Sequence, residues 1–374
     1  MLMSKSLLNL AQQAIAQYWE ELTDHPDAAG IHLYGNGAVA QLEAKLTHHY
    51  GVKYALCVSN ATMGLLAVAM ALDLQDEVFI TTPYTYGASL AGWLKLGNHP
   101  IFADIDPETL TLNPKAVEQQ ITPNTRAILA VDIFGHPSNT QALRQIADEY
   151  GLWYIADAAQ SLGAYRDGMP ASALADAIVV SFTVGKSVFA GEGGAILTDN
   201  AELYQKLVWL TQHPYRQKRD VGLFLDNEFG LNSRIHPLAA VIANAIFEGA
   251  LAQLQVHQAD CFRLIETLNA IGLTQPIRFQ QQQIIPSFFR LTAAVLEDVS
   301  EAEIQSALKE HGLSVILSPP PIRLIYRQPS FLAMYSQPVR ECPIAEQQAS
   351  LRVSFEFNRC AIAAAEFEAL QLLT

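Results

Sequence analysis

Short runs of apolar residues alternate with longer amphipathic stretches between residues 40 and 200. Turn residues bound the apolar runs, which is typical of strands that are buried on both faces of a parallel sheet. The pattern therefore predicts an α/β fold, with a mostly parallel central sheet flanked by helices. The predicted strands are Ala55–Val58, Val78–Thr81, Ala127–Phe134, Leu152–Asp157, Ala177–Phe182 and Gly194–Thr198.

The helical stretches have clear start and stop signals. Thr140–Tyr150 follows the capping residues of Pro137-Ser138-Asn139 and ends before Gly151, a residue type that favours helix termination. The N-terminal segment predicts an amphipathic helix, and the run from Pro237 to about Ile271 predicts a long helix that links two domains. We place the boundary near residue 245, which gives a large domain over 1–245 and a small α+β domain over 246–374.

Composition narrows the class of protein. The chain has 374 residues, with 37 Asp and Glu against 23 Lys and Arg, and a net charge of -14 argues against a nucleic-acid-binding surface. The four cysteines show no CxxC spacing and are too few to cross-link a chain of this length. The sequence contains no run of about 18 uninterrupted apolar residues, so it predicts no membrane span. We expect a soluble cytoplasmic protein without a metal site.

Three features follow predicted strands, where ligands collect in parallel sheets. Ser59-Asn60-Ala61-Thr62 precedes an apolar helix and could hold a phosphate, although an ordinary helix cap explains these residue types better when they are taken alone. Asp157 ends an apolar strand, and it could also cap a helix. Lys186 is an isolated amine in a segment poor in charge, where desolvation could make it a nucleophile, although most lysines are solvated.

Together these three features suit pyridoxal phosphate. That cofactor needs a lysine for a Schiff base, an acid beside its pyridine nitrogen and an anion site for its phosphate. Each of the three features meets one need. The combination therefore favours an enzyme whose catalytic residues are Lys186 and Asp157.

Several motifs also resemble the DegT/DnrJ/StrS-type sugar aminotransferases, which are fold-type I enzymes that depend on pyridoxal phosphate. Ser181-Phe182-Thr183-Val184-Gly185-Lys186 followed by Gly191-Glu192-Gly193-Gly194 is similar to the family's Schiff-base lysine motif. Asp157-Ala158-Ala159-Gln160 is similar to the block that meets the pyridine nitrogen and the phenolic oxygen. Cys342-Pro343-Ile344-Ala345-Glu346 resembles an element of the smaller domain.

The resemblance implies roles for further residues. It implies that Tyr86 stacks on the cofactor ring and that Asn232 reaches the phosphate in the neighbouring subunit of a homodimer. The cofactor-binding residues that it implies, together with those argued from the residues themselves, are Asn60, Ala61, Thr62, Tyr86, Asp157, Gln160, Ser181, Lys186 and Asn232.

The resemblance implies transfer of an amino group from glutamate or glutamine to a keto-sugar, often nucleotide-linked, or to a related cyclic polyol, in secondary metabolism or surface glycan synthesis. Departures occur mainly on the substrate side: Asp132 stands where a His is common, and the region after Glu346 lacks the usual Leu-Pro pattern. These departures leave two alternatives open. One is a lyase or dehydratase that acts on a nonsugar amine, and the other is a catalytically idle regulator with the same fold.

Overall fold

The structure is a computed structural model that describes residues 4–24, 26–222, 229–279, 283–319 and 322–357. Most of the predicted glutamine-rich loop at 280–283 and part of the Pro319-Pro320-Pro321 turn lie outside these residues. The helices are α1 Lys5–Asp24, α2 Ala38–Tyr50, α3 Ala61–Ala71, α4 Ala88–Lys95, α5 Pro114–Glu118, α6 Thr140–Tyr150, α7 Ala201–Thr211, α8 Pro214–Val221, α9 Pro237–Ile271, α10 Glu301–Glu310, α11 Pro329–Met334 and α12 Pro343–Leu351.

The strands build one large sheet and two small ones. They are β1 Tyr54–Val58, β2 Val78–Thr81, β3 His99–Phe102, β4 Thr125–Val131, β5 Trp153–Asp157, β6 Tyr165–Arg166, β7 Met169–Pro170, β8 Ala177–Ser181, β9 Gly194–Thr198, β10 Ile284–Ile285, β11 Leu291–Ala294, β12 Val315–Ser318 and β13 Arg352–Phe357. The large sheet has the order β1-β9-β8-β5-β4-β2-β3, and the small sheets have the orders β10-β6-β7 and β11-β13-β12.

The large sheet confirms the predicted α/β fold. The pairs β2–β3, β2–β4, β4–β5 and β5–β8 are parallel, whereas β9 is antiparallel to both of its neighbours. Successive residues of β8 pack into different apolar clusters, with Val179 on one face and Ile178 and Val180 on the other. Burial on both faces explains why these strands have continuous apolar sequences.

Two details of the sheet differ from the sequence prediction. The predicted strand Ala127–Phe134 ends at Val131, because the chain then turns through Phe134 at φ 58. β3 was missed because Pro100 interrupts a run of only four residues, and its pairing with β2 at an edge of the sheet is a long-range property.

Helix α9 has the predicted bounds and runs unbroken through residue 245. Ala239, Ile246 and Phe247 pack with α1, α2 and the central sheet, whereas Leu264 and Leu268 pack with β11, β12 and β13. By length and mean hydropathy α9 could cross a membrane, but a core helix passes the same test. The division into domains at residue 245 stays a prediction.

Candidate active site

The carboxyl ends of β1, β5 and β8 lead into the three features that the sequence singled out. Asp157 is the last residue of β5, Ser59 follows β1 directly, and Lys186 lies in the segment between β8 and β9. Asp157 and Lys186 are close enough for the charge of each to shift the pKa of the other. The fold therefore brings the predicted acid and amine to one edge of the sheet.

Asp157 is a buried carboxyl group with two hydrogen-bond donors. Ser89 Oγ donates to Oδ2 at 2.6 Å and the Ala159 N–H donates to Oδ1 at 3.0 Å. Burial raises the pKa of Asp157 above its usual value, and these two hydrogen bonds and the charge of Lys186 offset only part of that shift. A buried carboxylate in this position would be stabilised by a cationic group on a ligand.

Lys186 is a half-buried amine that lies against an aromatic ring. Its Nζ is 4.0 Å from the centroid of the Phe289 ring. Partial burial lowers the pKa of Lys186 to about 8, with Asp157 opposing that shift and Arg290 adding to it. A much larger fraction of this amine is therefore deprotonated near neutral pH than in an exposed lysine, as a nucleophile requires.

The Ser59–Thr62 turn caps α3 and places the N–H groups of Ala61 and Thr62 in the first turn of that helix. Asn60 Oδ1 accepts a hydrogen bond from the Met63 N–H at 2.9 Å, so its side chain is a helix cap. The turn can cap the helix and also bind a phosphate. The N–H groups of Ala61 and Thr62 belong to the first helical turn, where N–H groups have no acceptors within the helix.

Gly194 brings β9 close to this turn. A Cβ atom at residue 194 would lie 2.8 Å from Ala61 N and 2.7 Å from Val180 O, so only glycine permits the contact. Asn60 and Gly193 also form an isolated parallel β-bridge, so the backbones of the two segments lie side by side. The glycines after Lys186 therefore let the lysine-bearing segment lie close to the Ser59–Thr62 turn.

Three further predicted residues, Gln160, Ser181 and Tyr86, lie at or shortly after the carboxyl ends of β5, β8 and β2. Gln160 Oε1 accepts a hydrogen bond from the Phe134 N–H at 2.9 Å, which fixes the turn after Asp157. Ser181 is buried and its Oγ accepts from the Thr183 N–H at 3.4 Å. Tyr86 is 66% exposed, so its ring is free to cover a ligand.

Asn232 lies in a segment that contacts the Ser59–Thr62 turn of its own chain. The adjacent Ser233 accepts a backbone hydrogen bond from Ser59 at 2.8 Å, and the two hydroxyl groups are also 2.8 Å apart. Asn232 itself has a φ of 51, which turns the chain at this point. The segment is thus placed beside β1.

The arrangement was compared with known proteins. Residues 20–358 match the DegT/DnrJ/EryC1/StrS aminotransferase family. The chain belongs to this family.

Two relatives and one solved structure illustrate the similarity. A UDP-2-acetamido-2-deoxy-3-oxo-D-glucuronate aminotransferase from Pseudomonas aeruginosa is 32% identical over 278 residues, which are 74% of each chain. A putative L-glutamine:3-amino-2,3-dideoxy-scyllo-inosose aminotransferase from Streptomyces kanamyceticus is 31% identical over 72% of this chain and 65% of its own. NtdA from Bacillus subtilis, solved with bound cofactor PMP, has a TM-score of 0.76 at 23% identity and covers 95% of this chain and 78% of its own.

The cofactor of this DegT/DnrJ/EryC1/StrS aminotransferase is pyridoxal phosphate. The described residues fit it, since the buried Asp157 suits a protonated ring nitrogen, the half-buried Lys186 suits an aldehyde carbon, and the N-terminus of α3 suits a phosphate. Two contacts of the site escaped the sequence analysis. Neither Ser89 nor Phe289 lies in a recognisable motif, and each reaches the site through long-range packing.

The departure at Asp132 has a structural explanation in this aminotransferase. Asp132 is fully buried and accepts three hydrogen bonds, from the Ser138 N–H at 2.8 Å, Ser161 Oγ at 2.7 Å and Ser172 Oγ at 2.8 Å. Its own N–H donates to the Asp157 carbonyl at 3.1 Å. Asp132 therefore ties together the turns on both sides of Asp157.

Proposed function

We propose that this aminotransferase moves an amino group from glutamate or glutamine to a keto-sugar, or to a related cyclic polyol, with Lys186 and Asp157 as its catalytic residues. The single observation that carries the proposal is the pairing of a half-buried amine and a buried acid beside a helix N-terminus. The names of the two relatives support the acceptor class, since one names a nucleotide-linked keto-sugar acid and the other a cyclic inosose.

Different residues of this chain would hold different parts of the cofactor. The N–H groups of Ala61 and Thr62 would bind the phosphate, and the Asn60 side chain holds the turn by capping α3. Tyr86 would cover one face of the ring, and Asp157 would hold the proton on the ring nitrogen. Gln160 and Ser181 line the rest of the site. Bound pyridoxal phosphate supplies an aldehyde carbon that accepts the amino group and a ring that takes up negative charge.

Lys186 performs the proton transfer. With the cofactor bound and the donor in place of its amine, Lys186 would take the proton from the donor's α-carbon and return it to the cofactor carbon that had carried the aldehyde. A pKa of about 8 suits both tasks near neutral pH, because the amine gains and loses a proton with little cost. Asp157 keeps its negative charge opposite the ring nitrogen throughout and thereby stabilises the charge that develops.

The reaction is tested by amino transfer with the purified, cofactor-loaded protein. Glutamate or glutamine is supplied as donor, and a nucleotide-linked keto-sugar and a cyclic keto-polyol are supplied as separate acceptors. We expect a donor-dependent amine product from one acceptor class. Elimination or dehydration products without any transferred amino group would contradict the proposal and favour a lyase.

The working unit that we propose is a cytoplasmic homodimer in which Asn232 reaches the cofactor phosphate of the neighbouring subunit. An exposed apolar side chain supports a partner surface beside the site, since Val184, two residues before Lys186, is 69% exposed. The net charge of -14 and the thiols of Cys57 and Cys342, which form no disulfide, suit a soluble protein in a reducing compartment.

Hybrid dimers test the role of Asn232. We expect Lys186→Ala and Asn232→Ala dimers to be impaired separately. After the two proteins are mixed and allowed to exchange subunits, one site of each hybrid combines an intact Lys186 from one chain with an intact Asn232 from the other, so activity returns. If Asn232 serves its own chain, mixing restores nothing, and the shared-site proposal is wrong.

A further inference from the structure

The chain bends sharply at Phe288, shortly before β11 begins at Leu291. Phe288 has a φ of 49, a left-handed backbone conformation that bulky residues rarely adopt. Such a conformation persists only where surrounding contacts fix it, and it occurs preferentially at functional sites. The next residue is Phe289, the ring that contacts Lys186. The bend is therefore a candidate functional feature.

The bend exchanges the sides on which Phe288 and Phe289 lie. In an unbroken strand alternate side chains share a face, so Phe289 would join Leu291 and Ala293 in the apolar core of the β11-β13-β12 sheet. Instead Phe288 lies in that core, with its ring centroid 5.2 Å from that of Phe262. Phe289 is only partly buried and contacts Lys186. The left-handed residue thus releases the second ring toward the active site.

Hydrogen bonds hold both flanks of the bend. The Ser287 N–H donates to the Gly135 carbonyl at 3.0 Å, and Ser287 Oγ donates to the Gln160 carbonyl at 2.6 Å. On the other side, the Arg290 N–H donates to the Phe134 carbonyl at 3.3 Å. These acceptors lie in the turns that follow β4 and β5. The position of the ring is therefore fixed relative to the large sheet.

The Lys186 amine lies over the face of the Phe289 ring. Its Nζ is 4.0 Å from the ring centroid, within the distance of about 6 Å at which an aromatic face attracts an ammonium group. Within the described part of the chain, Nζ forms no hydrogen bond and no ion pair. The charges that face the amine are those of Asp157 and of Arg290, and Arg290 is itself paired with Glu356 at 2.8 Å. Phe289 is thus the described side chain that holds the amine in place.

We propose that Phe289 is a positioning residue for Lys186, and that its ring holds the amine beside the reacting atoms whenever the amine is not joined to the cofactor. This inference rests on the proposed transamination, in which the donor takes the place of the Lys186 amine. The amine must then stay oriented toward the carbon atoms between which it moves a proton.

An aromatic face suits a group that must both gain and lose a proton. It attracts the ammonium form through its electron-rich face, and it also accepts an N–H of the neutral amine. A carboxylate at the same place would favour the ammonium form strongly and make Lys186 a poor base. The ring therefore keeps both protonation states of Lys186 in one position.

The test measures the titration of Lys186 in protein loaded with pyridoxamine phosphate, the form of the cofactor to which Lys186 is not joined. The rate at which trace acetic anhydride modifies Lys186 is followed against pH by mass spectrometry. Phe289→Leu keeps an apolar side chain but removes the aromatic face. The pKa of Lys186 should therefore fall, with the acid dissociation constant rising about three- to tenfold. Asp157 and Arg290, whose charges also face the amine, are unchanged in this variant.

The first half of the reaction supplies a second measurement. At saturating glutamate or glutamine, Phe289→Leu should slow amino transfer to the cofactor about tenfold, because the proton-transfer group is less well oriented. The donor concentration at half-maximal rate should not change. Phe289→Tyr keeps the aromatic face and should behave as the wild type does in both measurements. Phe262→Leu removes a ring behind Phe288, and it should change neither the titration nor the rate.

The outcomes separate this inference from the proposed function. If the wild type transfers an amino group but Phe289→Leu leaves the titration of Lys186 unchanged, the positioning role alone is refuted. A folded Phe289→Tyr protein that behaves like Phe289→Leu would also refute it, since the aromatic face would not be what matters. A wild type that transfers no amino group from either donor would refute the proposed function, and the positioning role with it.

Discussion

Lys186→Ala is expected to abolish transamination. The variant loses both the amine that links the protein to its cofactor and the group that moves the proton. Positioned acid–base groups alone contribute about 10²- to 10⁴-fold to rate, so turnover should fall by at least that factor. The measurement is donor-dependent amine formation, compared with the wild type at equal bound cofactor.

The amount of cofactor that the Lys186→Ala variant binds distinguishes loss of a catalytic group from a folding defect. The variant should still bind pyridoxal phosphate, because the Ser59–Thr62 turn and Asp157 are unchanged, but without a covalent link to the protein. Lys95→Ala, which removes an exposed lysine at the end of α4, should retain full activity. Turnover of Lys186→Ala at the wild-type rate would refute the assignment.

Asp157→Asn is expected to lower turnover by about 10²- to 10³-fold, which is typical of losing one preorganised electrostatic contact. The amide keeps the size of the side chain but carries no charge, so it cannot hold a proton on the ring nitrogen. The cofactor should bind and join to Lys186 as before. Steady-state kinetics and the nitrogen-15 shift of labelled cofactor measure the two effects.

Two variants serve as controls for Asp157→Asn. Ser89→Ala removes the 2.6 Å hydrogen bond to Asp157 but keeps the negative charge, so its effect should be clearly smaller. Asp73→Asn changes an exposed carboxylate far from the site and should have no effect. If Asp157→Asn kept wild-type activity and a protonated ring nitrogen, Asp157 would not be the partner of that nitrogen.

Much of the large sheet could be predicted from the sequence because it depends on local patterns. Its parallel strands are buried on both faces, so each strand is recognisable in the sequence as an apolar run between turn residues. Helix α6 has matching start and stop signals, and the structure gives it the predicted bounds. The same logic led to Asp157 and Lys186, since polar residues that follow such strands must meet at one edge of the sheet.

Other features depend on contacts between distant residues, which one sequence does not reveal. Ser89 is 68 residues from Asp157, and Phe289 is brought to Lys186 from beyond α9. The antiparallel direction of β9 was missed because an apolar run of five residues carries no information about strand direction.

The visible absorption spectrum of the purified protein, loaded with pyridoxal phosphate, tests the central claim most directly. We predict an absorption band of the cofactor joined to Lys186, and we predict that glutamate or glutamine bleaches this band as the amino group passes to the cofactor. Addition of the keto acceptor should then restore the band. A band that neither donor changes would contradict amino transfer from glutamate or glutamine, and the absence of any band would contradict the role of Lys186 itself.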